Sequence, residues 1–168
     1  MGVPYNRMRR MERQLEPFWM DYNDAATAVT PINFGVAETV TLTNDGLGPF
    51  TSKQFNQGIE LWNSDTNQFD FSSLEIGDVV QMRIDLTPTF NTNNIDIFLG
   101  INLGVGAFPY SLNLAHSYYK TADTYNNVIV NALVYMGDEN TLNNPAELTF
   151  YSDKDGSVVV NGWFVTVT

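Results

Sequence analysis

The single histidine of this 168-residue chain, His116, is the first residue to test for catalysis. A hydrolytic triad needs a histidine base within reach of a serine nucleophile and a carboxylate. Ser111 and Ser117 are close to His116 in sequence, but neither lies in the pattern of a nucleophile elbow. We therefore expect His116 to be a turn or interface residue, and we expect the chain to have no catalytic residue.

Acidic side chains are the next candidates, because two carboxylates can hydrolyse a glycosidic bond. Many of them lie beside Gly or Asn, which is typical of solvated turns. The sequence Asp153-x-Asp155-Gly156 is similar to the start of a calcium loop, but residues 157–168 contain no acidic ligand. The segment therefore favours a hairpin turn, although its two carboxylates leave weak cation binding open. We expect no metal site and no cofactor.

Aromatic side chains are the best remaining candidates for ligand binding. Phe, Trp and Tyr make up 13% of the chain. Large aromatic residues more often pack in a core or an interface, so packing is the first expectation. Sugar stacking is the alternative for the six that we consider: Trp62, Tyr110, Tyr118, Tyr119, Tyr125 and Trp163.

Charge is distributed unevenly along the chain, which has a net charge of −11. Four arginines within the first 13 residues hold half of the positive charge. Residues 21–168 are left at −13, and such an acidic body repels nucleic-acid phosphates and anionic membrane surfaces. We therefore expect no nucleic-acid partner and no membrane partner.

Period-two alternation of apolar residues predicts β-strands from residue 36 onward. The clearest cases are Val79–Leu86 and Ile95–Leu103, because a helix would scatter their apolar positions around its axis. Val128–Met136 is apolar at both odd and even positions, which indicates a strand covered on both faces, within the domain or by another subunit. About eight strands without an interior helix predict an all-β fold, an antiparallel jelly-roll β-sandwich.

Residues 1–35 differ from the rest and are predicted to form an N-terminal arm and linker ahead of a sandwich domain over residues 36–168. Apolar residues at helical spacing end at Pro17, and several large aromatics follow. Exposed aromatics would be costly unless something covers them, either the chain's own domain or a neighbouring subunit. Docking on a partner is the favoured interpretation, through Arg7, Arg9, Arg10, Arg13, Phe18, Trp19 and Tyr22.

Three segments, Phe69–Thr87, Tyr118–Lys120 and Asn161–Val167, resemble jelly-roll heads of the tumour-necrosis-factor and complement globular-head type. They are also similar to head and capsid-decoration domains of tailed phages. The resemblance covers about residues 36–168 and lies in strand order and composition. It implies a compact homotrimer with one sheet of each protomer near the axis. The candidate interface residues are those of the doubly apolar strand: Val128, Val130, Val134 and Tyr135.

The lack of cysteines and of a collagen-like stalk favours the viral branch of this resemblance over the secreted one. We therefore expect a non-enzymatic virion protein at the capsid surface, a capsid decoration (cement) or minor capsid protein. Its partner would be the viral capsid or another virion protein, held by avidity through the arms of a trimer. The alternative is a receptor- or carbohydrate-binding head domain of a viral fibre. An enzyme such as a glycan hydrolase is the remaining alternative.

Overall fold

The computed structural model describes residues 18–22, 30–44 and 59–168 of the chain. Within these residues the chain forms eleven strands and one short helix. The strands are β1 (Phe18–Asp21), β2 (Ile32–Phe34), β3 (Glu38–Thr41), β4 (Trp62–Asn63), β5 (Gln68–Phe69), β6 (Val79–Phe90), β7 (Ile95–Leu103), β8 (Tyr110–Tyr119), β9 (Val128–Tyr135), β10 (Glu147–Ser152) and β11 (Gly156–Val167), and the helix is α1 (Glu139–Asn143).

The long strands form two antiparallel sheets that pack face to face, so the predicted all-β sandwich is confirmed. Sheet A has the strand order β1-β11-β6-β9, and β2 joins it by pairing with the first part of β11. Sheet B has the order β3-β10-β7-β8. The short strands β4 and β5 form a separate hairpin.

The core lies between the two sheets and follows the predicted alternation. In β6, Val80, Met82, Ile84 and Leu86 are buried, while the residues between them face outward. Each such side chain stabilises the fold by roughly 1.5–3 kcal/mol when it is fully buried. The core therefore holds the two sheets in a fixed relation and positions every outward-facing residue.

Two short strands extend sheet A into the region that the sequence analysis assigned to an arm and linker. β1 pairs with the last residues of β11, from Phe18 opposite Val167 to Asp21 opposite Phe164. β2 pairs with the first residues of the same strand. This part of the predicted arm therefore belongs to the sandwich. The rest of it, residues 1–17 and 23–29, lies outside the described residues.

Two connections differ from expectation. No interior helix was predicted, but α1 forms after β9, and the Asp138 carboxylate caps it by accepting a hydrogen bond from Thr141 N at 2.7 Å. The turn from Asp153 to Gly156 is not a hairpin, because β10 lies in sheet B whereas β11 lies in sheet A. The turn carries the chain from one sheet to the other.

Candidate functional site

The first described residues form β1, which pairs with β11 and is the end strand of sheet A. The side chains of Phe18 and Met20 point inward and are buried. Trp19 points outward and stacks on Phe164 of the neighbouring strand, with ring centroids 5.5 Å apart. The edge of β11 is thereby covered by the chain's own backbone and by one aromatic pair.

Tyr22, directly after β1, joins three segments that are distant in sequence. Its hydroxyl donates to Glu60 Oε1 at 2.8 Å and accepts from the backbone N–H groups of Leu61 and Trp62, each at 3.2 Å. Its carbonyl accepts from the Asn44 side-chain amide at 2.8 Å. Burial, reinforced by the hydrogen bond and negative charge of Glu60, raises the pKa of the Tyr22 phenol far above its usual value.

These contacts correct two of the predicted partner-binding residues. Phe18 and Tyr22 belong to the core of their own chain, so a partner cannot reach their rings. Trp19 is half-buried in its stack on Phe164. The aromatics are plain in the sequence, but it does not reveal that Phe18, Met20 and Tyr22 lie on one face of β1 and of the residue that continues it. The four arginines Arg7, Arg9, Arg10 and Arg13 lie outside the described residues, and their role stays a prediction.

β9 forms the opposite edge of sheet A and was the predicted interface strand. In the described part of the chain it pairs along its length with β6 alone. Val128, Val130 and Val134 point inward, and Val134 is fully buried. Of the four predicted interface residues, Val134 is a core residue, Val128 and Val130 are partly buried against the core, and only Tyr135 faces outward. Whether the even-numbered or the odd-numbered residues of β9 face the opposite sheet depends on how the strand is paired with β6.

The outward face of β9 carries the exposed apolar residues. Ile129 is 48% exposed, Leu133 is 65% exposed and Tyr135 is 60% exposed. We call these three residues the β9 strip. The fourth outward residue is Asn131, so this face bears no charge. Sequence reasoning recognised that the strand is apolar on both sides, and the structure shows that the second side has no cover within the described residues.

β8 forms the corresponding end of sheet B and adds further apolar surface. Tyr110 and Leu112 on β8 are partly exposed, and Phe108 in the preceding loop is largely exposed. The Tyr110 hydroxyl lies 2.6 Å from Thr141 Oγ1 in α1, the helix that follows β9. The exposed residues of β8 therefore lie at the same end of the sandwich as the C-terminal part of the β9 strip.

A concave groove of about 420 Å³ occupies the outer face of sheet A, between the two end strands β1 and β9. Arg83 makes a two-point contact with Asp85, with Nε to Oδ1 at 3.1 Å and Nη2 to Oδ2 at 2.9 Å. The lining residues come from β1, β6, β9 and β11: Asp21, Gln81, Arg83, Asp85, Asn131, Phe164 and Thr166. The groove combines amide, hydroxyl, carboxylate and guanidinium groups with one aromatic ring.

A β-bulge in β11 brings the aromatic ring into this groove. The pairing register with β6 shifts between Val160 and Gly162, and Gly162 has a φ of 146°, which favours glycine. The bulge moves the alternation by one residue, so Trp163 faces the core and Phe164 faces outward. A regular strand that kept Val160 inward would have turned Phe164 into the core.

His116 lies on β8 in the outer face of sheet B and not in a turn. Its Nε2 contacts the Asp96 carboxylate, and its ring stacks on Phe98 with centroids 4.3 Å apart. The Ser111 hydroxyl is hydrogen-bonded elsewhere. Ser117 is adjacent to His116 on the strand and so faces the opposite side. The histidine and aspartate therefore form an exposed pair, and neither Ser111 nor Ser117 is placed to complete a triad with it.

The acidic turn between β10 and β11 is occupied by protein contacts. Asp153 accepts a hydrogen bond from Asp96 N at 2.7 Å and pairs with Lys154 at 2.7 Å. Desolvation opposes ionisation of Asp153, but these two contacts outweigh it and lower the pKa of the carboxyl. Asp155 accepts from the Asn91 amide at 2.9 Å. No group of three or more His, Asp or Glu within residues 18–22, 30–44 and 59–168 is arranged to hold a metal ion.

The six aromatics considered for sugar binding do not share a face. Trp62 packs edge-on against Trp163 in the core, with centroids 4.5 Å apart. The rings of Tyr119 and Tyr125 pack against each other beside the core, with centroids 4.1 Å apart. Tyr110 and Tyr118 are exposed, Tyr110 at the sandwich edge and Tyr118 on the outer face of sheet B. The groove instead uses Phe164, which sequence reasoning did not select.

No known protein-family model and no curated protein matches this chain. No helix in the part of the chain that the structure describes has the length and apolar character needed to cross a membrane. The fold and its two surface features, the β9 strip and the groove, are therefore the basis for inferring a function.

Proposed function

We propose that the sandwich is a jelly roll and that the chain is a non-enzymatic structural protein of a virus particle, a capsid decoration (cement) or minor capsid protein that works as a homotrimer. The strand order supports the fold assignment. β1 and β11 are neighbours in sheet A, and the chain crosses between the sheets at every connection after β5 except that from β7 to β8. Jelly rolls with eight strands in two sheets are frequent in capsid proteins.

The observation that carries the proposal is the β9 strip. Ile129, Leu133 and Tyr135 stand outward on the last strand of a sheet, where the backbone edge is also open to a further strand in the described fold. Leu133 and Tyr135 are adjacent on this face, with Ile129 beyond Asn131, and proteins that work as monomers rarely leave large apolar surface uncovered. The strip therefore supports a permanent contact with another protein surface.

Charge supports a second copy of the same chain as the occupant of that contact. Two acidic protomers repel each other, so they associate best where neither surface carries charge. β9 has no charged residue, and its neighbour at the sandwich edge offers Tyr110 and Leu112. A β9 strip packed on the β8 edge of the next protomer is a head-to-tail contact, which closes into a ring when the rotation is one third of a turn.

Attachment to the particle is assigned to residues 1–17. This segment contains four arginines and two glutamates, so its charge is opposite in sign to that of the acidic remainder. It is joined to the sandwich at Phe18, the first residue of β1. Three such segments on one trimer would bind a capsid lattice far more tightly than one, because the later contacts are intramolecular.

Sedimentation equilibrium of the full chain and of two variants tests the trimer. The wild-type chain is expected at three times the protomer mass of 18.9 kDa. Leu133→Asp is expected to shift the protein to monomer, weakening association at least about tenfold, because a charge replaces a buried apolar contact. Tyr118→Asp is the matched control, since Tyr118 is 56% exposed on the outer face of the other sheet. A monomeric wild type, or a trimeric Leu133→Asp variant, would refute the assignment.

Removal of residues 1–17 tests attachment separately. The truncation must stop before Phe18, because a cut after Met20 would take two buried side chains from the core. The shortened chain is expected to stay folded and trimeric but to lose co-sedimentation with particles that lack this protein. Full co-sedimentation of the shortened chain would show that the basic segment is not the attachment device.

A further inference from the structure

We propose that Asn161 and Gly162 form a spontaneous modification site, at which the folded chain slowly converts its own asparagine to aspartate and isoaspartate. Asn161 is the one asparagine of the chain that a glycine follows. The two residues form the β-bulge of β11, where the side chain of Asn161 lies on the outer face of sheet A. The proposal goes beyond the proposed function and does not depend on trimer formation.

The reaction needs no other protein group, because its two reacting atoms belong to adjacent residues. The backbone nitrogen of Gly162 attacks Cγ of Asn161, and the new N–Cγ bond closes a succinimide ring. The Cγ–Nδ2 bond breaks, and Nδ2 leaves as ammonia with the proton that the Gly162 nitrogen gives up. Water then opens one of the two imide C–N bonds, which gives aspartate or isoaspartate. Glycine favours the ring closure, since it has no Cβ to obstruct the approach.

The bulge frees the backbone of Asn161 from the pairing that would hold it in an extended conformation. On the β6 side, the register passes from Val160 to Gly162 and omits Asn161. On the other side, β2 pairs with β11 as far as Val158, and β1 pairs with it only from Phe164 onward. Within the described chain, Asn161 is therefore the one residue of β11 without a paired residue on either side. Its backbone can turn toward the succinimide geometry at a lower cost than a paired residue can.

The side chain of Asn161 is half-buried and lightly held. Its Nδ2 donates to Thr87 Oγ1 at 2.9 Å, which is its one side-chain hydrogen bond among the described residues. Asn63 shows the opposite arrangement, although a small residue, serine, follows it. Asn63 Oδ1 accepts from the backbone N–H groups of Asp65 at 2.9 Å and Thr66 at 3.3 Å, which fixes its carboxamide in a turn. Folding should therefore slow the reaction less at Asn161 than at Asn63.

The products change sheet A at a position that matters for the core. Each product adds a carboxylate to the outer face, where Gly162 is paired with Asp85. Isoaspartate also adds a methylene group to the backbone directly before Trp163, which is among the largest fully buried side chains. The reaction therefore alters both the charge of the sheet and the backbone that positions Trp163.

Peptide mapping by mass spectrometry tests the proposal on the full chain, kept for several weeks in mildly alkaline buffer, folded or unfolded in urea. The rate at each asparagine is compared between the two states, which cancels the effect of the residue that follows it. Folding is expected to slow conversion of Asn161 by less than about tenfold and conversion of Asn63 by more than that.

Isoelectric focusing of the aged folded protein supplies the matched variants. The wild type is expected to accumulate a more acidic main product, and Asn63→Gln is expected to do the same. Asn161→Gln is expected not to accumulate it, because the longer side chain would have to close a larger ring. An Asn161 that stays intact in the folded protein while it reacts in urea would overturn the proposal. So would slowing at Asn161 as strong as at Asn63, or an acidic product undiminished in Asn161→Gln.

Discussion

The two end strands of sheet A, β1 and β9, are both rich in large apolar residues, yet the described chain covers those of β1 and leaves the outward ones of β9 exposed. In β1, Phe18 and Met20 point into the core, and Tyr22 then ties the strand to distant segments. In β9 the inward positions are buried or partly buried, but Leu133 and Tyr135 stand outward without cover in the described fold. A strand rich in apolar residues is therefore a candidate interface only where its outward-facing apolar side chains are not covered by its own chain.

A negative charge on each edge should give the largest contrast. Met20→Asp places a carboxylate in the core and is expected to lower the free energy of unfolding by about 3–5 kcal/mol, because a buried charge has no partner there. Tyr135→Asp places the same group on the open edge and should leave each protomer folded. Far-UV circular dichroism and urea unfolding of both variants measure the difference. Equal loss of structure in both would remove the distinction between the edges.

Removal of one tyrosine hydroxyl from each edge should give a smaller contrast. Tyr22→Phe leaves the buried N–H groups of Leu61 and Trp62 without their acceptor, which is expected to cost about 1–3 kcal/mol of stability. Tyr135→Phe removes an exposed hydroxyl and is expected to change stability by less than about 0.5 kcal/mol. Urea titration at neutral pH compares the two variants. A Tyr22→Phe protein as stable as Tyr135→Phe would show that the network around Tyr22 does not fix β1.

The same tyrosine predicts a pH dependence of stability. The unfolded chain loses the Tyr22 proton near the ordinary pKa of 10.0, while burial keeps the native phenol protonated at higher pH. The contribution is therefore fully present below pH 10.0 and decreases as the pH rises above it, by at most about 1.4 kcal/mol per pH unit. Urea titrations between pH 9 and pH 11 should show a steeper decline for the wild type than for Tyr22→Phe. Identical pH dependence of stability in the two proteins would contradict the raised pKa of Tyr22 in the native state.

Much of the sandwich was predictable because β6 and β7 repeat apolar residues with a strict period of two. The sequence also revealed that Val128–Met136 is apolar on both faces. It did not reveal which parity faces the opposite sheet, since only pairing of Val134 with Val80 fixes that choice. β1 was missed because it has only four residues, and its alternation was interpreted as an aromatic cluster.

The groove was beyond reach of sequence reasoning for a different reason. Its residues come from four strands, so Asp21, Arg83, Asn131 and Phe164 have no spacing that links them before the register is known. The outward polar positions of β6 were visible in the alternation, but they are equally typical of any solvated face. The bulge at Gly162, which turns Phe164 outward, has only a glycine as its signal in the sequence.

Hydroxyl-radical footprinting of the full-length protein tests most directly whether the β9 strip is an interface. The contrast to measure is that between Leu133 and Tyr135, which belong to the strip, and Tyr118, which is exposed to a similar degree on the other sheet. We expect Leu133 and Tyr135 to be protected in the native assembly while Tyr118 is oxidised readily, and the protection should disappear in Ile129→Asp. Oxidation of Leu133 and Tyr135 to the extent expected for fully solvated side chains, in the wild type at every protein concentration, would contradict the account.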